Sequence, residues 1–267
     1  MGQLSGRSIR TFVLRQGRLT EGQQRSLDDH WGEFGIDVNN SDLIPTVCDP
    51  VVQRTESEIE NRSASADQRP VRDASLEVEP IDLDYHFENK ASVWMEIGIG
   101  NGDALTRMAG QNAQVNFLGV EVHLPGVGHA LGEIAAAQLS NVRLIRYDVL
   151  DLVEFYLKPA SLDRVLIYFP DPWHKTRHHK RRLVSARFLD SIAPLLREGG
   201  MIHFATDWVP YAVQVREIVS EHKQFECLSE GEEALAVTRL RPETHFERRG
   251  LKLGHVVTDL VLKKITA

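Results

Sequence analysis

Only two cysteines occur in 267 residues, Cys48 and Cys227, far apart and in unrelated contexts. That scarcity excludes a disulfide-stapled scaffold and a cysteine-built zinc centre, and it points to a reducing compartment. Long apolar runs are missing too. No stretch approaches the ~18 consecutive apolar residues of a membrane-spanning helix. The opening MGQLSGRSIRTFVLRQGRLT is basic but lacks the apolar centre of an export signal. A cytoplasmic location without a membrane partner is therefore expected. Nor is there an excess of positive charge: the formal net charge is -7. This rules out a uniformly basic surface but not a local one, because a partner feels charge only within roughly 8 Å.

Residues 54–80, RTESEIENRSASADQRPVRDASLEVEP, lack large apolar groups. They cannot bury enough surface to offset their ordering entropy, which predicts a flexible linker or long loop. It separates an N-terminal arm, 1–53, from a domain covering 81–267. Within the arm, LTEGQQRSLDDHWGEF reads as a short helix capped by Thr20, with Gln23 closing the capping box.

Beyond about residue 91, strand and helix alternate. Apolar runs rich in Val, Ile and Leu occupy 92–98, 115–122, 142–148, 162–169 and 199–207, with helical patterns at 102–110, 126–139, 149–157, 179–197 and 210–223. Strict alternation predicts an α/β, doubly wound, mostly parallel sheet covered on both faces. The tail GHVVTDLVLKK (254–264) follows no crossover helix and is expected to pair antiparallel at an edge.

The turn after the first strand reads MEIGIGNGDAL, with Gly98, Gly100 and Gly102. Such glycines permit a tight bend and close approach of a ligand to the backbone. The spacing is not that of a dinucleotide fingerprint, because Asp103 stands where a small residue is needed for helix packing. Glu96 beside the turn would repel a pyrophosphate but suits a cationic, phosphate-free ligand such as an adenosyl sulfonium with an amino-acid tail. Glu121 ends the second strand, where an acid takes ribose hydroxyls in such sheets. Asp148 ends the third, within reach of an adenine amine. One acid at a strand end is commonplace; three beside a glycine turn mark a pocket.

After the fourth strand comes FPDPWHKTRHHKRRLV. Prolines on either side restrict the backbone of Asp171. Trp173 offers a flat face for a base, and Lys175, Arg177, Lys180, Arg181 and Arg182 supply cations for phosphates. Six Lys/Arg against two Asp between 171 and 190 give this stretch a net +4 in an acidic chain. Basic runs are usually solvated helix faces, but this one directly follows a strand end in the pocket's crevice. His174 and His178 at helical spacing lack a third metal ligand, so no metal is expected. Asp207 ends the fifth strand in ATDWVPYA, with Trp208 and Tyr211 near, and RPETHFERRG (241–250) is a basic loop before the last strand.

Taken together, SIRTFVLRQGRLT, EIGIGNG, GVEVHLPGVG, FPDPWHKTRHHKRRLV, TDWVPYA and RPETHFERRGLKLGH resemble the bacterial tRNA (guanine-N7-)-methyltransferase family. The resemblance implies a class I S-adenosylmethionine-dependent methyltransferase fold and methyl transfer to N7 of a variable-loop guanine in tRNA. It implies that Glu96, Glu121 and Asp148 bind the cofactor along with the glycine turn, and that Asp171 sits at the catalytic centre touching both ligands. Lys175, Asp207 and the stretch Thr244, His245, Phe246 and Glu247 would hold the substrate. Arg177, His178, His179, Lys180, Arg181 and Arg182 would contact RNA. His245 departs from the lysine usual in the family, and 54–80 is longer than in relatives.

Guanine N7 carries an in-plane lone pair and no proton, so positioning matters more than a base. Asp171 and Asp207 would either stabilise the positive charge that develops on the base or accept hydrogen bonds from its Watson–Crick edge. Rival readings are a non-catalytic RNA-binding protein, a nicotinamide dehydrogenase and a methyltransferase acting on DNA or a small molecule. The oligomeric state, monomer or homodimer, is not legible.

Overall fold

The structure is a computed structural model that describes residues 11–12, 18–38, 79–228, 231–243, 247 and 256–265. Helix α1 (Glu21–Phe34) begins as its sequence predicts: Gln23 N donates to Thr20 Oγ1 (3.2 Å), and Thr20 N donates to Gln23 Oε1 (2.9 Å). Both bonds satisfy amides that a helix start leaves without partners. A short helix, α2 (Leu83–Phe87), leads into the sheet.

The alternation then unfolds as β1 (Ser92–Ile97), α3 (Asp103–Gln111), β2 (Val115–Val120), α4 (Leu124–Ala136) and β3 (Val142–Ile145). A short α5 (Val149–Asp151) continues as a π-helical turn (Leu152–Tyr156) before β4 (Leu162–Tyr168). A 3₁₀ turn (Thr176–Arg181), α6 (Ala186–Ile192), β5 (Leu196–Thr206), α7 (Val209–Glu221), β6 (Phe225–Leu228), α8 (Glu232–Thr238) and β7 (Thr258–Lys264) complete the described elements. The expected single helix over 179–197 is thus a correction. Its cationic start, up to Arg181, belongs to a 3₁₀ turn with no buried residue; Leu183 and Val184 then enter the core as non-helical chain, and the helix proper packs Phe188, Leu189 and Ile192.

The sheet order is β3-β2-β1-β4-β5-β7-β6. All neighbours run parallel except β7, which is antiparallel to both β5 and β6. The tail strand therefore reverses direction as expected, but it lies one place in from the edge. The edge strand is the short β6, whose four residues carry too little apolar pattern to stand out. This is the expected α/β, doubly wound, mostly parallel architecture.

Alternating side chains of each strand feed two cores, one per face. Met95, Ile97, Leu118 and Phe204 fill one, and Trp94, Phe117, Leu131 and Leu166 the other. The second core also takes Leu27, Trp31 and Phe34 of α1. Close approach of α1 to α4 depends on glycine: a Cβ at Gly128 would stand 2.8 Å from the Gln23 carbonyl oxygen, and one at Gly132 2.9 Å from Ser26 Oγ.

Candidate active site

Strand order reverses between β1 and β4, where crossovers depart to opposite sides and leave a crevice at the strand tips. A cleft of about 450 Å³ opens there. Glu96, Gly98, Gly100 and Glu121 line it on one side, Phe169 and Asp171 on the other.

Glu96 sits in β1, an inner strand, and is 2% exposed, and its Oε2 has no hydrogen-bond partner among the described residues. Burial, reinforced by the negative charges of Glu121 and Asp103, pushes its carboxyl up to about 8. An unpaired buried carboxylate is costly, so this one is built to meet a cation or to stay protonated.

Gly98 and Gly100 have φ of +75° and +57°, a region that side chains rarely adopt. A Cβ at either would meet no described atom within 4 Å, so both glycines keep cleft space open. Gly102 differs from expectation. It is buried and turned to α4, where a Cβ would stand 2.7 Å from that of Ala130. Its smallness serves helix packing, and it is not a cleft residue.

Glu121 clips the turn to the tip of β2. Its Oε2 accepts from Gly100 N (2.9 Å), and its Oε1 accepts from Val122 N (2.8 Å) and His123 N (2.9 Å). Asp148 is 5% exposed and caps α5 by accepting from Leu150 N (3.0 Å). At this tip the cleft is faced instead by its neighbours Tyr147 and Val149.

Asp171 stands exposed at the rim, in a turn bracketed by two aromatic residues of positive φ, Phe169 (+50°) and Trp173 (+47°). Such backbone persists only where surroundings hold it. Phe169 N donates to Ala205 O (2.8 Å), and the Trp173 indole donates to Thr11 O (3.2 Å). Trp173 does not present the open face its sequence suggests: the Arg181 guanidinium lies 4.8 Å from its ring centroid, and His178 meets it edge-on.

From there the chain runs outward through Lys175 and Arg177, both exposed, then His178, His179, Lys180 and Arg181 of the 3₁₀ turn. Beside it a groove of about 530 Å³ runs along α7, lined by His179, Lys180, Val213 and Gln214 among others. Arg182 corrects the expectation of an RNA contact. It is 3% exposed and points inward: Nε donates to Pro172 O (2.8 Å), Nη1 bonds Gln214 Oε1, and the guanidinium stacks on Tyr211 (4.8 Å). Its cation is spent on holding the Asp171 turn to α7. Tyr211 is likewise internal, accepting from Val184 N (3.0 Å).

Asp207 directly follows β5, and the adjoining Trp208 takes the His174 ring edge-on at 4.4 Å, so this tip meets the Asp171 loop. Glu247 is paired with Arg241. Thr244, His245 and Phe246 lie outside the described residues. Sequence reasoning missed Thr11, Phe12 and Tyr168 as cleft lining. Tyr168 immediately precedes the FPDPW motif, and the arm stretch carrying Thr11 stood among the family-like segments, so both had a readable signal.

A family model described as "Putative methyltransferase" matches residues 90–260. The chain is 41% identical to a tRNA (guanine-N(7)-)-methyltransferase of Neisseria meningitidis serogroup A, over 97% of this chain and 92% of that one. It is 38% identical to the protein of the same description from Serratia proteamaculans, with the same coverage. Among solved structures, the 16S rRNA methyltransferase KamB matches with 18% identity and a TM-score of 0.49, covering 71% of this chain and 96% of that one.

Proposed function

The chain belongs to the tRNA (guanine-N(7)-)-methyltransferase family and transfers a methyl group from S-adenosylmethionine to guanine N7 of tRNA; we propose that this guanine lies in the variable loop and that Asp171 stands at the reacting centre. The observation that carries the site assignment is the unpartnered Glu96 carboxylate oxygen inside a glycine-opened cleft whose rim leads straight into the cationic turn.

The residues present fit the cofactor. Glu96 offers a carboxyl that ionises when a cation meets it and whose Oε2 has no partner among the described residues, Gly98 and Gly100 leave room, and Glu121 holds the turn in its open shape. Glu121 would also accept ribose hydroxyls. Asp148 shapes the adenine side by fixing Tyr147 and Val149. When bound, S-adenosylmethionine supplies an electrophilic methyl on a positively charged sulfur.

The protein's own task is alignment. N7 needs no deprotonation, so the rate comes from presenting its lone pair in line. Asp171 faces the base from the rim, where its charge stabilises the positive charge the base acquires. Lys175, Asp207 and the Thr244–Glu247 stretch hold the nucleotide, while Arg177 to Arg181 meet phosphates. The catalytic domain spans 81–267, with 1–53 as an arm; of the linker or long loop expected at 54–80, residues 54–78 lie outside the described residues. The enzyme works in the cytoplasm, and among the described residues no helix is long and apolar enough to cross a membrane.

The test is incubation with labelled S-adenosylmethionine and unmodified tRNA, followed by nucleoside analysis. 7-Methylguanosine should appear and should vanish when the variable-loop guanine is replaced. Label on another nucleoside, or retained after that replacement, would overturn the assignment.

A further inference from the structure

Behind the cleft, on the same sheet face as Glu96, lies a polar column that neither the cofactor nor the RNA reading uses. It begins at Tyr168, whose ring lines the cleft and whose hydroxyl lies 3.2 Å from His203 Nδ1. His203, 1% exposed, sets its Nε2 2.7 Å from Asp259 Oδ1. A carboxylate only accepts, so Nε2 carries the proton and Nδ1 receives that of Tyr168. Asp259 then takes a two-pronged contact from Arg241, through Nε (2.8 Å) and Nη2 (3.1 Å).

The other edge of the same guanidinium forks onto Glu247, through Nη1 and through Nη2 (3.1 Å). Its plane also packs near the rings of Tyr168 (5.9 Å) and Phe169 (5.6 Å). The Arg241 side chain is only 8% exposed, so this cation is not offered to phosphates. Burial pushes the Asp259 carboxyl up, but the bonds from His203 and Arg241 outweigh it and hold the group below the usual range.

One guanidinium thus joins three strands to one further residue: β4 just before Asp171, β5, β7, and Glu247. We propose that Arg241 is a positioning residue for methyl transfer to tRNA: by clamping Glu247 to the Asp259–His203–Tyr168 column, it sets where the Glu247 carboxylate stands relative to Asp171. The inference rests on the assignment of Glu247 to the substrate side. A planar, five-donor group is required, because a lysine ammonium, with three donors from one nitrogen, cannot make two parallel bonds to each of two carboxylates.

The test uses the full chain with Arg241→Ala, Arg241→Lys, Glu247→Gln and the Arg241→Ala/Glu247→Gln pair. Readouts are kcat/KM for tRNA at several salt concentrations, S-adenosylmethionine Kd and melting temperature. Since misplacement by about 1 Å costs about a hundredfold, Arg241→Ala and Arg241→Lys should lose tenfold to about a hundredfold in kcat/KM for tRNA. Cofactor Kd and the salt slope should stay as in the wild type, because Arg241 touches neither cofactor nor phosphate. The double variant should be no slower than Arg241→Ala alone, because the two residues act as one device.

Multiplying losses, a shallower salt slope or unchanged tRNA kinetics would overturn the proposal. If Arg241→Ala does not fold, the folded Arg241→Lys enzyme decides by the same criteria. Loss confined to the variants bears on Arg241. A wild type that transfers no methyl group to tRNA overturns the substrate assignment and this inference with it.

Discussion

The cleft and the cationic turn lie side by side yet are built on opposite terms. In the cleft, charges are buried and fixed: Glu96 is enclosed, and Glu121 is held by three backbone amides. On the turn, Lys175, Arg177 and Lys180 are exposed, and none of the 3₁₀ residues is buried. A small ligand of one shape rewards a site organised in advance, because ordering costs are met on folding. A polynucleotide offers repeated charges at adjustable spacing, for which solvated, salt-screened cations suffice. The difference teaches that changes in the cleft should alter chemistry and proton linkage, whereas changes on the turn should alter salt dependence.

The largest break expected is at the rim. Asp171→Ala should cut turnover by about 10³ while the melting temperature holds. Asp171→Asn keeps an acceptor but removes charge, so an equal loss would assign the effect to electrostatics. Near-normal turnover in both would remove Asp171 from the centre.

Arg182 sharpens the boundary between the regions, because it belongs to the basic run by sequence and to the interior by structure. Arg182→Ala should cost about 1.5–3 kcal/mol of stability and leave the salt slope of tRNA binding intact. A lowered slope with unchanged melting temperature would return it to the surface set.

Proton linkage tests the cleft next. Glu96, at about 8, keeps its proton when folded where the unfolded carboxyl, near 4.5, has lost it. Without ligand, stability therefore falls as pH rises from 4.5 through 8. A cationic ligand needs the ionised form, so its affinity should rise with pH by up to about tenfold per unit below pH 8. Calorimetry across pH 6 to 9 should show this slope in the wild type, and Glu96→Gln should flatten it. An unchanged slope in that variant would place the linkage elsewhere.

The smallest effect is expected on the turn. Lys180→Ala with Arg181→Ala should weaken tRNA binding several-fold and lower the salt slope by about 1 for each phosphate no longer neutralised. Cofactor Kd should not move, and a shift there would mean that the two regions are coupled through the Trp173–Arg181 stack.

Much of this was legible in the chain. Strand–helix alternation announced the parallel sheet, and Thr20 with Gln23 announced the start of α1, because periodicity and capping are local physics. That Glu96, Gly98, Gly100, Glu121 and Asp171 would line one cleft was readable because strand tips in such sheets converge on one crevice. Gly102 and Arg182 were misread for the same reason: local pattern does not reveal which neighbour a side chain meets. Gly102 faces Ala130, and Arg182 faces Tyr211.

The order of residues, by itself, determined the doubly wound plan, the acids at its strand tips and the cationic segment behind Asp171. Only tertiary structure decided that Glu96 Oε2 would lack a partner among the described residues, that β7 would run between β5 and β6, and that Arg241 would bridge residues six and eighteen positions away. The physical reason is that hydrogen-bond patterns and hydrophobic periods act over a few residues. Burial, charge pairing and register are set by segments distant in the chain that meet only once the sheet has closed.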